Sequence, residues 1–139
     1  MNSIDDNSKD RLHDVFFYGL YMDPDVLKQK GVEPRNPRRA VLSNFVLKIG
    51  NKAALLRAKG QSSHGIVYAL TRAEFNQLYS GPELAGYQPE AVSVKVGDQE
   101  IAALCFNLLE PLDSGVTNLE YSKKLKQAMN KLGVPVTFA

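Results

Sequence analysis

The sequence predicts an α+β fold: a small mixed, mainly antiparallel sheet that curls into a barrel-like form, flanked by helices. Three observations predict it. Apolar segments of strand character and three helical segments follow one another in the order β-α-β-β-β-α-β-β-α. Most neighbouring strands are joined by turn residues rather than by helices long enough to make a parallel crossover. The 139 residues, 44% hydrophobic and 23% charged, suit one domain with one core. A doubly wound parallel sheet would need a crossover helix after nearly every strand.

Residues 1–13 are polar and read as a disordered tail, leaving 14–139 as a single domain. Val15 to Tyr18 is a continuous apolar run bounded by Gly19, the pattern of a strand buried on both faces. Asp23 is placed to cap a helix with Pro24 at its first position, where the missing N–H costs little. That helix is expected to reach Lys30 and stop at Gly31. Residues 31–38 contain two prolines and read as a loop. Ala40 to Ile49 alternates as a long strand, Gly50-Asn51 turns the chain, and Ala53 to Ala58 returns as its partner. Gln61-Ser-Ser reads as another loop, with Gly65 to Leu70 as the next strand. Thr71-Arg-Ala-Glu74 fits a capping box that opens a short helix, with Phe75 and Leu78 on its inner face. Ser80-Gly81-Pro82 stops it. Tyr87 to Val96 and Ile101 to Leu109 form a hairpin around Gly97-Asp98. Thr117-Asn-Leu-Glu120 fits a second capping box. It opens a helix to about Leu132, with Leu125, Ala128, Met129 and Leu132 as its apolar stripe.

Composition narrows the function. No apolar run approaches the roughly 20 residues of a membrane helix, and the N-terminal segment lacks the apolar core of a signal peptide, so a cytosolic location is expected. A formal charge of +2 is too small to imply nucleic acid. Arg35, Arg38 and Arg39 read as a solvated loop. The single cysteine, Cys105, can make no internal disulfide and reads as a small buried hydrophobe. His13 lies in the tail and His64 at a strand entrance, with no partner at metal-ligand spacing. No nucleophile-elbow, phosphate-loop or dinucleotide-binding motif is present.

Two features remain. The loop from Tyr18 to Met22 leaves a buried strand through a glycine and enters a helix. Its amides could cradle an anion or a developing oxyanion, or the loop could be a tight turn that buries Tyr18 and Leu20. The second feature is Glu83, in LYSGPELAGYQPE, on the connection between a helix and a strand.

Together these segments resemble the gamma-glutamyl cyclotransferase-like superfamily, which includes the AIG2-like proteins. FFYGLYM is similar to that family's opening strand and glycine loop, and HGIVYALTRAEFNQLYSGPE to its strand-helix segment with the acidic residue. YQPEAVSVKV is similar to the Tyr-led strand that follows, and NLEYSKKLKQAMNKLGVPVTFA to the C-terminal helix. The resemblance implies a small mixed barrel flanked by helices. It implies release of 5-oxoproline from a small γ-glutamyl amine or peptide, with no metal or organic cofactor. It makes Glu83 the catalytic acid/base and Tyr18, Gly19, Leu20, Tyr21 and Tyr87 the substrate-binding residues. The implied partner is a small γ-glutamyl-type molecule, with no nucleic acid and no membrane. Two positions depart from the family pattern: Leu20 stands where Ser or Thr is usual, and Leu84 follows the glutamate where Gly is common. A non-catalytic small-molecule-binding domain of the same fold, or an interaction module using a sheet edge, are the alternatives.

Overall fold

The computed structural model describes residues 10–108 and 117–138, the side chain of Glu83 excepted. Five strands form the sheet: β1 (Leu12–Phe17), β2 (Arg35–Ile49), β3 (Ala53–Thr71), β4 (Tyr87–Val96) and β5 (Gln99–Leu108). Three α-helices accompany them: α1 (Pro24–Gln29), α2 (Arg72–Leu78) and α3 (Leu119–Leu132). The strands pair in the order β1-β3-β2-β4-β5 and close into a barrel. Closure comes from a parallel contact between β1 and β5 at Val15 and Leu104, and the other pairings are antiparallel. The predicted barrel-like sheet with flanking helices is therefore the observed one.

Val15, Phe16 and Phe17 of β1 are all buried, as a strand covered on both faces requires. Tyr68 and Leu70 of β3 and Leu125 and Met129 of α3 complete the centre of the core. The α1 cap is the expected one, with Asp23 accepting from the Asp25 amide. The Thr71–Glu74 capping box is complete in both directions. Gly133 ends α3 in the left-handed conformation that favours glycine.

Five local expectations change. β1 begins at Leu12, so His13 lies in the sheet opposite Leu70, with its ring edge-on to Phe75. Residues 1–9 of the expected tail lie outside the described residues, as does Leu109 at the expected end of β5. The two strands expected on either side of Gln61-Ser-Ser are one strand of 19 residues. The polar stretch still pairs with β2, because a ladder is made by the backbone and not by side chains. An irregularity at Asn44 and Gly60, both at positive φ, absorbs the register shift. β2 starts at Arg35 rather than Ala40. A register shift between Arg35 and Arg38 accommodates Pro37, which has no N–H to give a ladder. The arginines of that segment are consequently not a solvated loop. Arg35 pairs with Glu74 and Glu33, Arg38 pairs with Asp14, and Arg39 lies exposed on the strand. Finally, α3 is capped one residue later than expected. The Gly50 carbonyl accepts from the Asn118 amide and fixes that residue before the first turn, and the Asn118 side chain accepts from Tyr121.

No helix among the described residues is long and apolar enough to cross a membrane.

Candidate functional site

β1 pairs with β3 only as far as Phe17 opposite Ile66. Beyond it the chain turns off through Tyr18 and Gly19 into a 3-10 turn, Leu20–Met22. The start of β3, around Ala53 and Leu55, is thus left beside β4 and β5 without β1 between them. Side chains take the place of the missing strand. Asn107 of β5 accepts from the Leu55 amide at 2.9 Å and donates to the Leu55 carbonyl at 3.0 Å. The Tyr87 hydroxyl of β4 donates to the Ala53 carbonyl. Backbone groups that would otherwise be orphaned are satisfied, and the gap in front of them stays open. A cavity of about 480 Å³ occupies it.

Tyr18, Gly19, Leu20, Tyr21 and Tyr87 all line this one cavity. Glu83 lies in the chain between Pro82 and Leu84, in a 3-10 turn, and its neighbour Leu84 lines the same cavity. Tyr79 and Tyr121 line it too; the resemblance included Tyr121 as the tyrosine near the start of the C-terminal helix but gave it no place in the site, and Tyr79 was not singled out from the sequence. A signal existed: the chain has six tyrosines and no tryptophan, and five of the six converge here. Tyr79 ends α2 and stacks on Phe106 with ring centroids 4.2 Å apart. Tyr121 projects from the first turn of α3.

The tyrosines divide by what their hydroxyls do. Tyr18 donates to the Phe106 carbonyl at 2.9 Å, Tyr21 to the Leu78 carbonyl at 2.8 Å, and Tyr87 to Ala53. Their rings are locked as walls. The Tyr121 hydroxyl instead accepts, from the Leu20 amide at 3.3 Å. Burial pushes the Tyr18 and Tyr79 hydroxyls well above the ordinary tyrosine range, and Tyr87 to about 12. Burial also raises Tyr121, against the pull of the Leu20 amide. All four stay neutral and keep their protons at pH 7.

The loop combines both readings of its sequence. It is a tight turn, with the Met22 amide donating to the Gly19 carbonyl and Asp23 to Leu20, and Tyr18 is buried behind it. It is also a wall of the cavity. Gly19 has φ −114°, which any residue can adopt, so its need for glycine is spatial. A Cβ there would lie 2.5 Å from the Tyr121 hydroxyl oxygen.

Lys30 and Lys52 are the charged residues among the described lining, and no carboxylate accompanies them there. Cys105 is buried in β5, and burial pushes its thiol to about 12, which makes it a packing residue. No group of three His, Cys, Asp or Glu side chains able to hold a metal occurs among the described residues.

No protein-family model matches the chain, and no curated protein sequence matches it significantly. Solved structures do match. A structure described as gamma-glutamyl cyclotransferase aligns with 89% of this chain and 82% of its own, at 20% identity and a TM-score of 0.73. YkqA from Bacillus subtilis aligns with 93% of this chain at 23% identity and a TM-score of 0.73. This chain spans about half the length of YkqA, 51%. An AIG2-like protein from Mus musculus aligns with 83% of this chain and 94% of its own, at 17% identity and a TM-score of 0.55. The fold is gamma-glutamyl cyclotransferase-like. At these identities the likeness is one of backbone, and the gamma-glutamyl cyclotransferase-like barrel of this chain carries side chains of its own around the cavity.

Proposed function

We propose that this protein is a cyclotransferase-like enzyme that releases 5-oxoproline from a small γ-glutamyl amine or peptide. One observation carries the reading. The loop from Tyr18 to Tyr21, and Tyr79 and Leu84 on either side of Glu83 in the chain, line a single cavity with Tyr87. An acidic residue from mid-chain and the glycine loop from its beginning can then serve one ligand.

The reaction needs little beyond those parts. The free α-amine of the substrate attacks its own γ-carbonyl, forming the ring C–N bond and a tetrahedral oxyanion. The attacking nitrogen gives up a proton to the Glu83 carboxylate. The carboxyl then returns one to the departing nitrogen as the original amide C–N bond breaks. Donors from the loop stabilise the oxyanion. Nucleophile and carbonyl share one molecule, so a cavity that holds it folded supplies much of the acceleration. Rings fixed by hydrogen bonds to main-chain carbonyls suit that task, because they cannot swing away to admit an extended chain.

The test is incubation with a panel of γ-glutamyl amines and peptides, with mass detection of released 5-oxoproline. Turnover by the wild-type protein and its loss in Glu83→Gln, at unchanged melting temperature, are expected. Full activity in Glu83→Gln would remove the glutamate from the mechanism.

A second reading, a binding domain without catalysis, is favoured by Leu20, which puts an aliphatic side chain where the family usually has a hydroxyl. It predicts ligand-dependent melting with no 5-oxoproline. A cytosolic location and a small-molecule partner belong to both proposals.

A further inference from the structure

Lys30 and Lys52 stand apart from the mostly aromatic and aliphatic lining of the cavity. They come from separate elements. Lys30 is the C-cap residue of α1, and its carbonyl accepts from the Gln77 side-chain amide at 2.6 Å. Lys52 closes the turn between β2 and β3, where its carbonyl accepts from the Gly50 amide at 3.0 Å. Both backbones are thereby fixed. Lys30 is exposed and Lys52 half-buried, so their ammonium groups stand at the mouth of the cavity rather than among the locked tyrosine rings. Neither makes an ion pair among the described residues. The carboxylates nearest to Lys30 in the chain are engaged elsewhere, Glu33 by Arg35 and both Asp23 and Asp25 by Lys131. Neither β2 nor β3, the strands that flank Lys52, holds an Asp or a Glu.

We propose that Lys30 and Lys52 select a substrate whose leaving half carries a carboxylate: a γ-glutamyl amino acid or short γ-glutamyl peptide rather than a γ-glutamyl amine. The inference rests on the γ-glutamyl reading of the cavity and narrows its substrate class. The glutamyl half is common to every candidate and folds against the fixed rings. The leaving half departs through the opening, past the two lysines. Charge then makes the choice. A γ-glutamyl amine with a neutral leaving half carries one ammonium and one carboxylate, which cancel. A γ-glutamyl amino acid carries a second carboxylate. The two lysines and the Glu83 carboxylate of the proposed reaction leave one positive charge in excess, and that second carboxylate balances it. A leaving half with its own ammonium would meet two like charges at the mouth.

The experiment measures 5-oxoproline release from γ-glutamyl-alanine, γ-glutamyl-ethylamine and γ-glutamyl-ethylenediamine, added to the γ-glutamyl panel. The first two differ only in the carboxylate. Wild type should favour the alanine compound over the ethylamine compound by about tenfold in kcat/KM, with the diamine compound last. The preference should lie mainly in KM, because a carboxylate remote from the reacting bond is held alike in ground and transition states. In Lys30→Met/Lys52→Met the ratio should fall to about one, and Lys30→Arg/Lys52→Arg should keep it. Added salt should shrink the ratio in wild type, which reads the same charges without any substitution.

Equal kcat/KM for the alanine and ethylamine compounds in wild type overturns this inference and spares the proposed function. Lysines that held only the shared glutamyl carboxylate would give that result. A preference that survives in the double Met variant overturns the role of the lysines. No release from any panel member by wild type overturns the proposed function. Ligand-dependent melting then decides the inference by itself: stabilisation by the alanine compound beyond that by the ethylamine compound, lost in the double Met variant, sustains it, and equal shifts overturn it.

Discussion

Glu74→Gln should expose how much of the stability rests on one carboxylate. Glu74 closes the α2 capping box by accepting from the Thr71 amide at 2.9 Å. It also takes 2.7 Å and 3.4 Å hydrogen bonds from Arg35, and one from the Glu33 amide at 3.1 Å. Burial alone would raise its pKa. The Arg35 bond and charge and the two amides outweigh burial and bring it from 4.5 down to about 2. Its side chain is 15% exposed, so solvent screening takes little away. A carboxyl lowered that far contributes about 3 kcal/mol at neutral pH. Between the two values the unfolded chain binds the proton and the folded chain does not. The contribution is therefore complete above about pH 5 and is lost as pH falls toward 2. Urea melts of wild type and Glu74→Gln from pH 7 to pH 2 measure it. The variant should be less stable by about 3 kcal/mol at pH 7. The difference should shrink below about 1 kcal/mol at pH 2, where only neutral hydrogen bonds distinguish the two. Two curves running parallel across that range would refute the account.

Three further outcomes follow from the packing. Gly65→Ala should leave the protein largely unfolded by circular dichroism, since the added Cβ would lie 2.2 Å from the Phe17 carbonyl oxygen and 2.8 Å from the Phe16 ring. Asn107→Ala should cost about 2–5 kcal/mol in denaturant melts, because it orphans the buried amide and carbonyl of Leu55 near the start of β3. Cys105 should resist a thiol-specific alkylating reagent at pH 7.5 until the protein is unfolded, since its buried thiol is pushed to about 12. Native labelling at the unfolded rate would contradict that burial.

The sequence by itself determined the elements whose signals are local. Asp23-Pro24 set the start of α1, Thr71 and Glu74 set that of α2, and Gly133 set the end of α3, because caps depend on residues a turn apart. The hairpin of β4 and β5 was legible from its alternation and its Gly97 turn. What failed depended on partners distant in sequence. The polar middle of β3 looks like a loop until β2 lies alongside it, and the segment from Arg35 looks solvated until Glu74 and Asp14 arrive. The cavity is the clearest instance. Tyr18 to Tyr21 and Tyr87 were readable as site residues through a resemblance; Tyr121 was readable only as part of the C-terminal helix, because it lies 101 positions from the Leu20 amide it meets. Only the tertiary structure, in which β1 leaves the sheet after Phe17 and a gap remains before the start of β3, decided that five tyrosines would share one hollow.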